Sequence, residues 1–376
     1  MSVLRGEALR IFMVDRFFTP LHGMSLGEWL RLLGRHQFAV DPQYWPRAAF
    51  MTLGSALTSA FARYEERVYG PQVRRVSVKA PLFILGHARS GTTFLYSLIA
   101  NDPQFAYPHL WQVLNPHTFL TTERFSELLS VVAPKKRLSD NVRIHAGSPL
   151  EDQFALTGTL RSPLLRWAFP HSAAEYDRYL TFEGVPQAEI EEWKAALLRF
   201  YQKLTLKYNR PLLLKSPPHT CRIKLLLEMF PDARFIHIHR HPFAVFQSSR
   251  RETEIVSRVT RLQQPAPRDM DTWIIRRYQM IYEAFFAQRE LIPAGQFCEV
   301  AYEELARDPV GQVGRLYQEL ALPGFDAFRP TLQGYVDAQG GYRKNRYNEL
   351  PAEVRERLMQ AWRRSFDAWG YTCEET

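Results

Sequence analysis

Two glycines five positions apart, Gly86 and Gly91, bracket His87, Ala88, Arg89 and Ser90 and are followed by Thr92 and Thr93. The apolar run Pro81–Leu85 leads directly into them. Leu95, Leu98 and Ile99, at i, i+3 and i+4, continue as a helical pattern that stops near Pro103. A strand, a glycine-bracketed loop and a helix let successive N–H groups curl inward, so that they and the positive helix end face an anion. The GxxxxG spacing is that of a nucleotide phosphate loop, but Thr92 stands where triphosphatases carry the lysine that reaches the β- and γ-phosphates. The cation sits inside the loop instead, as Arg89. Such a loop is poorly built to neutralise a γ-phosphate with magnesium. It can hold a 5′-phosphate whose bridging oxygen becomes the leaving group. Taken alone, it is equally a glycine turn that binds nothing.

A second anion site follows later in the chain. The strand pattern Arg234–His239 runs into Arg240-His241-Pro242, and Phe243, Val245 and Phe246 lead on helically to Ser248. Proline suits the first turn of a helix, where its missing N–H is not needed. Arg240 then lies at the carboxyl end of a strand, where open α/β sheets bind ligands. Ser248 lies about 9 Å along the helix axis, and a guanidinium and a hydroxyl so placed can grip a phosphate together. Between the two sites, Leu213 and Leu214 run into Lys215-Ser216-Pro217-Pro218. A lysine at the end of an apolar strand, before a rigid turn, reads as an active-site cation or as a solvated one.

In this order the elements resemble the sulfotransferases that use 3′-phosphoadenosine 5′-phosphosulfate. Gly86-His87-Ala88-Arg89-Ser90-Gly91-Thr92-Thr93 resembles their 5′-phosphosulfate loop, and Arg240, Pro242 and Ser248 resemble their 3′-phosphate motif. Lys215-Ser216-Pro217 is similar to an element of bacterial and carbohydrate members. Tyr302-Glu303-Glu304-Leu305 resembles a segment whose tyrosine lies near the adenine. The likeness continues through the residues around His109 and the late basic stretch, so it covers most of the chain and points to the bacterial-type branch. It implies adenosine 3′,5′-bisphosphate as product, no metal, and a hydroxyl acceptor. It also implies a glycine-containing loop over the 3′-phosphate end of the donor, for which Arg343 and Lys344 after Gly340 and Gly341 are the match; these residues are equally a solvated loop.

Sulfuryl transfer is an in-line displacement in which positioning and charge stabilisation dominate. The resemblance places Arg89, Thr92, Thr93 and Lys215 beside the oxygen that gains charge. A base must also take the acceptor's proton. Many relatives have a glutamate after the first helix, but this chain reads Trp111-Gln112, and glutamine cannot serve. Glu151 and Asp152 are the next choices, with Glu151 slightly ahead. Both are as well explained as acids at a helix N-terminus. His219 and His109 follow. His237, His239 and His241 alternate as metal ligands on a strand would, but Pro242 redirects the chain and no carboxylate lies nearby in sequence, so packing is the expected role.

These residues need a sheet to position them. Leu82–Leu85, Leu212–Leu214, Arg234–His239 and Phe297–Val300 read as short strands, most of them separated by helical patterns, which is the signature of an α/β fold with a central parallel sheet wrapped by helices. Residues 1–75 read as a helical N-terminal extension, 76–376 as the transferase domain, about 120–208 as a mainly helical insertion, and Pro351–Trp369 as an amphipathic helix. At 376 residues and 46% hydrophobic, the chain holds a large core, which excludes a disordered or disulfide-stapled protein. Three scattered cysteines without a CxxC pair fit a reducing, cytoplasmic compartment. The net charge of +9 calls for an anionic partner. The uncharged window Ala48–Ala62, 15 residues, is short of the roughly 18 that span a bilayer, and leaves peripheral membrane contact open. The Phe-, Trp- and Leu-rich helical regions favour a partly apolar acceptor such as a lipid. Two rivals remain: a P-loop kinase or hydrolase, opposed by Thr92 and the lack of an acidic Walker-B strand, and a basic nucleic-acid or membrane module, opposed by cations spread along the chain instead of forming a dense stripe.

Overall fold

In a computed structural model of the chain, residues 19, 21–126, 147–265, 269–338 and 349–372 are described. Arg343, Lys344 and the glycines before them lie outside that set, as do residues 1–18 and 127–146 of the two helical regions. In chain order the principal elements are α1 (Leu26–Arg35), α2 (Trp45–Arg75), β1 (Leu82–Leu85), α3 (Thr92–Ile99), α4 (Gln187–Tyr208), β2 (Leu213–Lys215), β3 (Arg234–His239), α5 (Pro242–Thr260), α6 (Met270–Gln288), β4 (Phe297–Ala301) and α7 (Tyr302–Arg307). The chain packs as two compact units, one within Met1–Ser77, Pro108–Asn209 and Glu252–Arg268, the other within Val78–Tyr107, Arg210–Arg251 and Asp269–Thr376.

The first unit is helical. Ser25 caps α1, accepting from the Glu28 N–H while the Glu28 carboxylate accepts from the Ser25 N–H at 2.7 Å. Trp29, Leu32 and Leu33 form the buried stripe of that helix. α2 and α4 are joined by a buried ion pair between Glu65 and Lys203, and α4 buries Trp193, Leu197, Phe200 and Leu204. Within the interval about 120–208 that reads as mainly helical, residues 147–186 hold only short runs, among them the 3-10 turns Asp152–Thr159 and Pro163–Trp167 and the five-residue helix Ala173–Asp177. Prolines 149, 163, 170 and 186 interrupt any longer ladder. The first long helix there is α4, which is free of Pro and Gly and ends on Asn209 in the left-handed region at φ 49°.

The second unit carries the sheet. Its four strands are all parallel in the order β2-β1-β3-β4, with Leu82 opposite both Leu213 and Arg234. β1 is buried along its whole length, which is why it reads Leu-Phe-Ile-Leu without alternation. Leu82 and Ile84 pack into a core with Leu95, Leu98, Ile99 and Ile236. Phe83 stacks on Phe235 at 5.5 Å. β2 lies one residue later than the sequence reading, so Lys215 is its last residue, opposite Ile84. The tail is two helices, Ala352–Ala361 and Arg363–Trp369, rather than one. Trp362 breaks it because its indole donates to the Ile275 carbonyl at 3.1 Å and stacks on Tyr278 at 3.8 Å.

Candidate functional site

In this sheet the chain proceeds from β1 to β2 on one side, then to β3 on the other. The crevice outside the carboxyl ends of β1 and β3 is therefore the switch point at which open α/β sheets bind ligands. The loop 86–91 occupies it. Gly86 has φ 143°, and a Cβ there would lie 2.5 Å from the Ile238 carbonyl oxygen. Gly91 has φ 98°, and a Cβ there would meet the Tyr302 ring at 2.4 Å. Both positions are thus restricted to glycine by conformation and by space. The loop is braced from within and without. The Ser90 hydroxyl donates to the His87 carbonyl at 2.7 Å, and the Gly86 N–H donates to Thr220 Oγ1 at 2.7 Å. α3 then begins at Thr92, and the first-turn N–H groups of a helix have no carbonyl of their own to bond.

The second anion motif closes onto this loop. Arg89, itself at φ 73°, donates from Nε to Ser248 Oγ at 2.7 Å. Arg240 donates to the Arg89 carbonyl at 3.3 Å, and its guanidinium sits 4.3 Å from the centre of the Tyr302 ring. Arg89, Arg240, Ser248 and Tyr302 are therefore one cluster, with Tyr302 packed against Gly91. From the β2 side, buried Lys215 places Nζ 3.4 Å from Thr93 Oγ1. Lys215 and Arg240 reach the loop from the two neighbours of β1, so cationic groups flank it on both sides.

His87 is fully buried, and desolvation pushes its imidazole down to about 4 against a weaker upward pull from the Ala88 carbonyl. Its Nδ1 lies 2.6 Å from that carbonyl oxygen and so carries the proton. Between pH 6.5 and 4 the unfolded chain binds a proton that folded His87 refuses, so stability falls as pH falls through that window. At pH 5 this residue alone is expected to cost about 2 kcal/mol relative to pH 7 or above. Urea unfolding at pH 7 and pH 5 should show a smaller acid loss for His87→Asn than for the parent chain. Equal losses would count against the assignment.

The three alternating histidines are used in packing. His237 Nδ1 lies 2.8 Å from Glu299 Oε1, His239 Nδ1 lies 2.8 Å from the Tyr371 hydroxyl, and His241 Nε2 lies 3.0 Å from the Thr372 carbonyl. His239 stacks on Trp369 at 4.8 Å, and burial pushes it down to about 3.

The groups named as bases differ in what holds them. His219 belongs to the sheet unit, fully buried and edge-on to Phe83 at 5.4 Å. Glu151, Asp152 and His109 belong to the helical unit. Asp152 is fully buried and accepts a hydrogen bond from the Tyr201 hydroxyl, while Glu151 is half-buried just before the 3-10 turn. His109 places Nε2 3.1 Å from Glu123 Oε1. Glu123 also meets Lys207 at 3.0 Å and accepts from Gln112 Nε2 at 3.2 Å. Burial would raise its carboxyl, but these partners outweigh that and hold it at about 2. The sequence reading missed Glu123. It lies eleven residues beyond Gln112, outside any local motif, and only the fold brings it beside that glutamine.

Residues 81–327 match the model of the Sulfotransferase family. Over 375 residues the chain is 37% identical to the omega-hydroxy-beta-dihydromenaquinone-9 sulfotransferase Stf3 of Mycobacterium tuberculosis, covering 99% of this chain and 96% of that one. The protein of the same name from Mycobacterium bovis matches equally. Among solved structures, sulfotransferase STF9 from Mycobacterium avium superposes with a TM-score of 0.65 at 19% identity, covering 94% of this chain and 98% of that chain. STF1 from Mycobacterium tuberculosis H37Rv gives 0.59 at 18%, over 90% of each chain. At these identities the two structures share its fold.

Proposed function

The chain belongs to the sulfotransferase family, and from that premise we propose that its donor is 3′-phosphoadenosine 5′-phosphosulfate and its acceptor the hydroxyl of a lipid-like molecule of the isoprenoid-quinone class. Membership sets aside the kinase, hydrolase and nucleic-acid readings. The observation that carries the donor is the joining of Arg89, Ser248, Arg240 and Tyr302 around a lysine-free phosphate loop. Gly86 at φ 143° and Gly91 at φ 98° hold backbone angles that L side chains rarely adopt, and those angles let loop N–H groups turn toward a bound anion.

When bound, the donor supplies an activated sulfuryl group whose transfer leaves negative charge on the bridging oxygen. Loop N–H groups, Thr92, Thr93 and Lys215 are proposed to hold the 5′ end and to stabilise that charge. Arg240 and Ser248 grip the 3′-phosphate, Arg89 ties the two ends together, and Tyr302 lines the adenine side. For the acceptor's proton the proposed groups are Glu151, Asp152 and His219, joined by His109, whose ring is oriented by Glu123 as a base is oriented by a third group. Glu151→Gln, Asp152→Asn, His219→Gln and His109→Gln, made separately, should single out the base. It is the one whose loss lowers kcat and flattens the pH–rate profile with bisphosphate affinity unchanged.

The acceptor class comes from the relative that shares 37% identity over nearly the whole chain. Calorimetry should show adenosine 3′,5′-bisphosphate binding without metal and far more tightly than magnesium-ATP; the reverse order would overturn the donor. Labelled donor should then transfer sulfate to an omega-hydroxylated isoprenoid quinone in preference to simple sugars or phenols. Equal transfer to all three would remove the acceptor assignment.

A further inference from the structure

One face of α2 carries Phe50, Leu53, Leu57, Phe61, Tyr64 and Val68, all exposed, Leu53 at 71% and Leu57 at 64%, with the Phe50 ring also meeting His22 edge-on at 5.6 Å. Their spacings of three and four residues put them on one side of the helix, in a stripe about 27 Å long. Side chains of this size normally mark a contact surface when they lie contiguous and exposed. Trp45 and Phe38, exposed at the entry to the helix, add to the apolar area.

Charge identifies what covers it. The exposed charged residues of α2 are Arg63, Arg67, Arg74 and Arg75 against Glu66 alone, and Glu66 is already engaged by Arg74 and Arg199. Arg63, Arg67 and Arg74 recur at intervals of four and seven, so they line one flank of the stripe. That flank opens into a recess of about 460 Å³ lined by four cations, Arg63, Arg67, Arg199 and Lys203, against the two carboxylates Glu65 and Glu66. A second copy of the same face would bring rows of arginine with no unpaired acid to meet them. An anionic lipid surface answers both features, because an apolar stripe flanked by arginines lies in the headgroup–acyl boundary. No helix among the described residues is long and apolar enough to cross a membrane, so the contact is lateral.

We propose that α2 docks this protein on anionic bilayers, its apolar stripe entering the headgroup–acyl boundary while Arg63 and Arg67 meet lipid phosphates. The docking stands on the helix face and does not depend on the acceptor being a quinone. Co-sedimentation of the full chain with phosphatidylglycerol–phosphatidylcholine vesicles should show binding that pure phosphatidylcholine does not match. Leu53→Gln with Leu57→Gln should weaken binding at least about tenfold. Arg63→Gln with Arg67→Gln should weaken it about twentyfold at low salt and abolish the preference for phosphatidylglycerol. The substituted positions are exposed, and circular dichroism should show unchanged folding. Wild-type protein left in the supernatant, or variants that sediment like it, would overturn the proposal. So would sedimentation equilibrium showing a dimer that the leucine pair dissociates, because the stripe would then be a self-association face. Vesicle binding without sulfation of any quinone would leave docking intact and remove the acceptor reading. Quinone sulfation in detergent without vesicle binding would do the opposite.

Discussion

Lys215→Ala is expected to lower kcat by about 10²–10³-fold while the dissociation constant for the intact donor stays within about threefold, because a hydrogen-bond donor aimed at developing charge matters most in the transition state. The lysine is buried at the end of β2, with Nζ 3.4 Å from Thr93 Oγ1 and 5.7 Å from the centre of the Tyr96 ring. In the intact donor the bridging oxygen carries little of the charge that the lysine is placed to meet; that charge develops as the sulfuryl group leaves. Rapid-quench turnover with saturating donor, paired with calorimetry on the donor without acceptor, separates the two quantities. Equal losses in both would make Lys215 a ground-state binding group. An unchanged kcat would leave it a structural cation beside Thr93.

Arg240→Ala is expected to weaken adenosine 3′,5′-bisphosphate about 100-fold, and Ser248→Ala about tenfold, in line with a charge-assisted contact and a hydroxyl contact to phosphate. Adenosine 5′-phosphate, which lacks the 3′ group, should bind both variants and the parent about equally. Indifference of both variants toward the bisphosphate would remove the 3′-phosphate assignment. Arg89 bonds Ser248 directly, so Arg89→Ala and Ser248→Ala should be non-additive in a double-mutant cycle.

The parts legible from sequence are those whose signal is local. Gly86 and Gly91 announce the loop because no other residue takes those angles in that space. Pro242 marks the turn into α5, and the unbroken apolar Leu82–Leu85 marks a strand buried on both faces. What was not legible depends on partners far along the chain. Nothing near Arg89 says that its side chain will bond Ser248. Nothing near Gln112 says that Glu123 will sit beside it, or that His109 will share that carboxylate. The helical period over Pro351–Trp369 is real, yet one buried indole at Trp362 outweighs it. The excess charge of +9 predicts an anionic partner. Arg89, Lys215 and Arg240 are proposed to meet the donor, and the arginine row on α2 gives a proposed use for part of the remainder.

The central position of β1 also bears on how the protein is made. β1 is an early strand, but its neighbours β2 and β3 both lie more than a hundred residues downstream. At ribosomal speeds of about 5–20 residues per second, roughly 10–30 s pass between synthesis of β1 and completion of β3. Until β2 is made, a four-residue apolar strand has both edges open, and one edge stays open until β3 follows, a state in which chains pair with one another. The same arrangement that lets Lys215 and Arg240 approach the loop from opposite sides is therefore expected to make yield on expression sensitive to the pace of translation between residues 86 and 239, which synonymous slow codons in that interval would test.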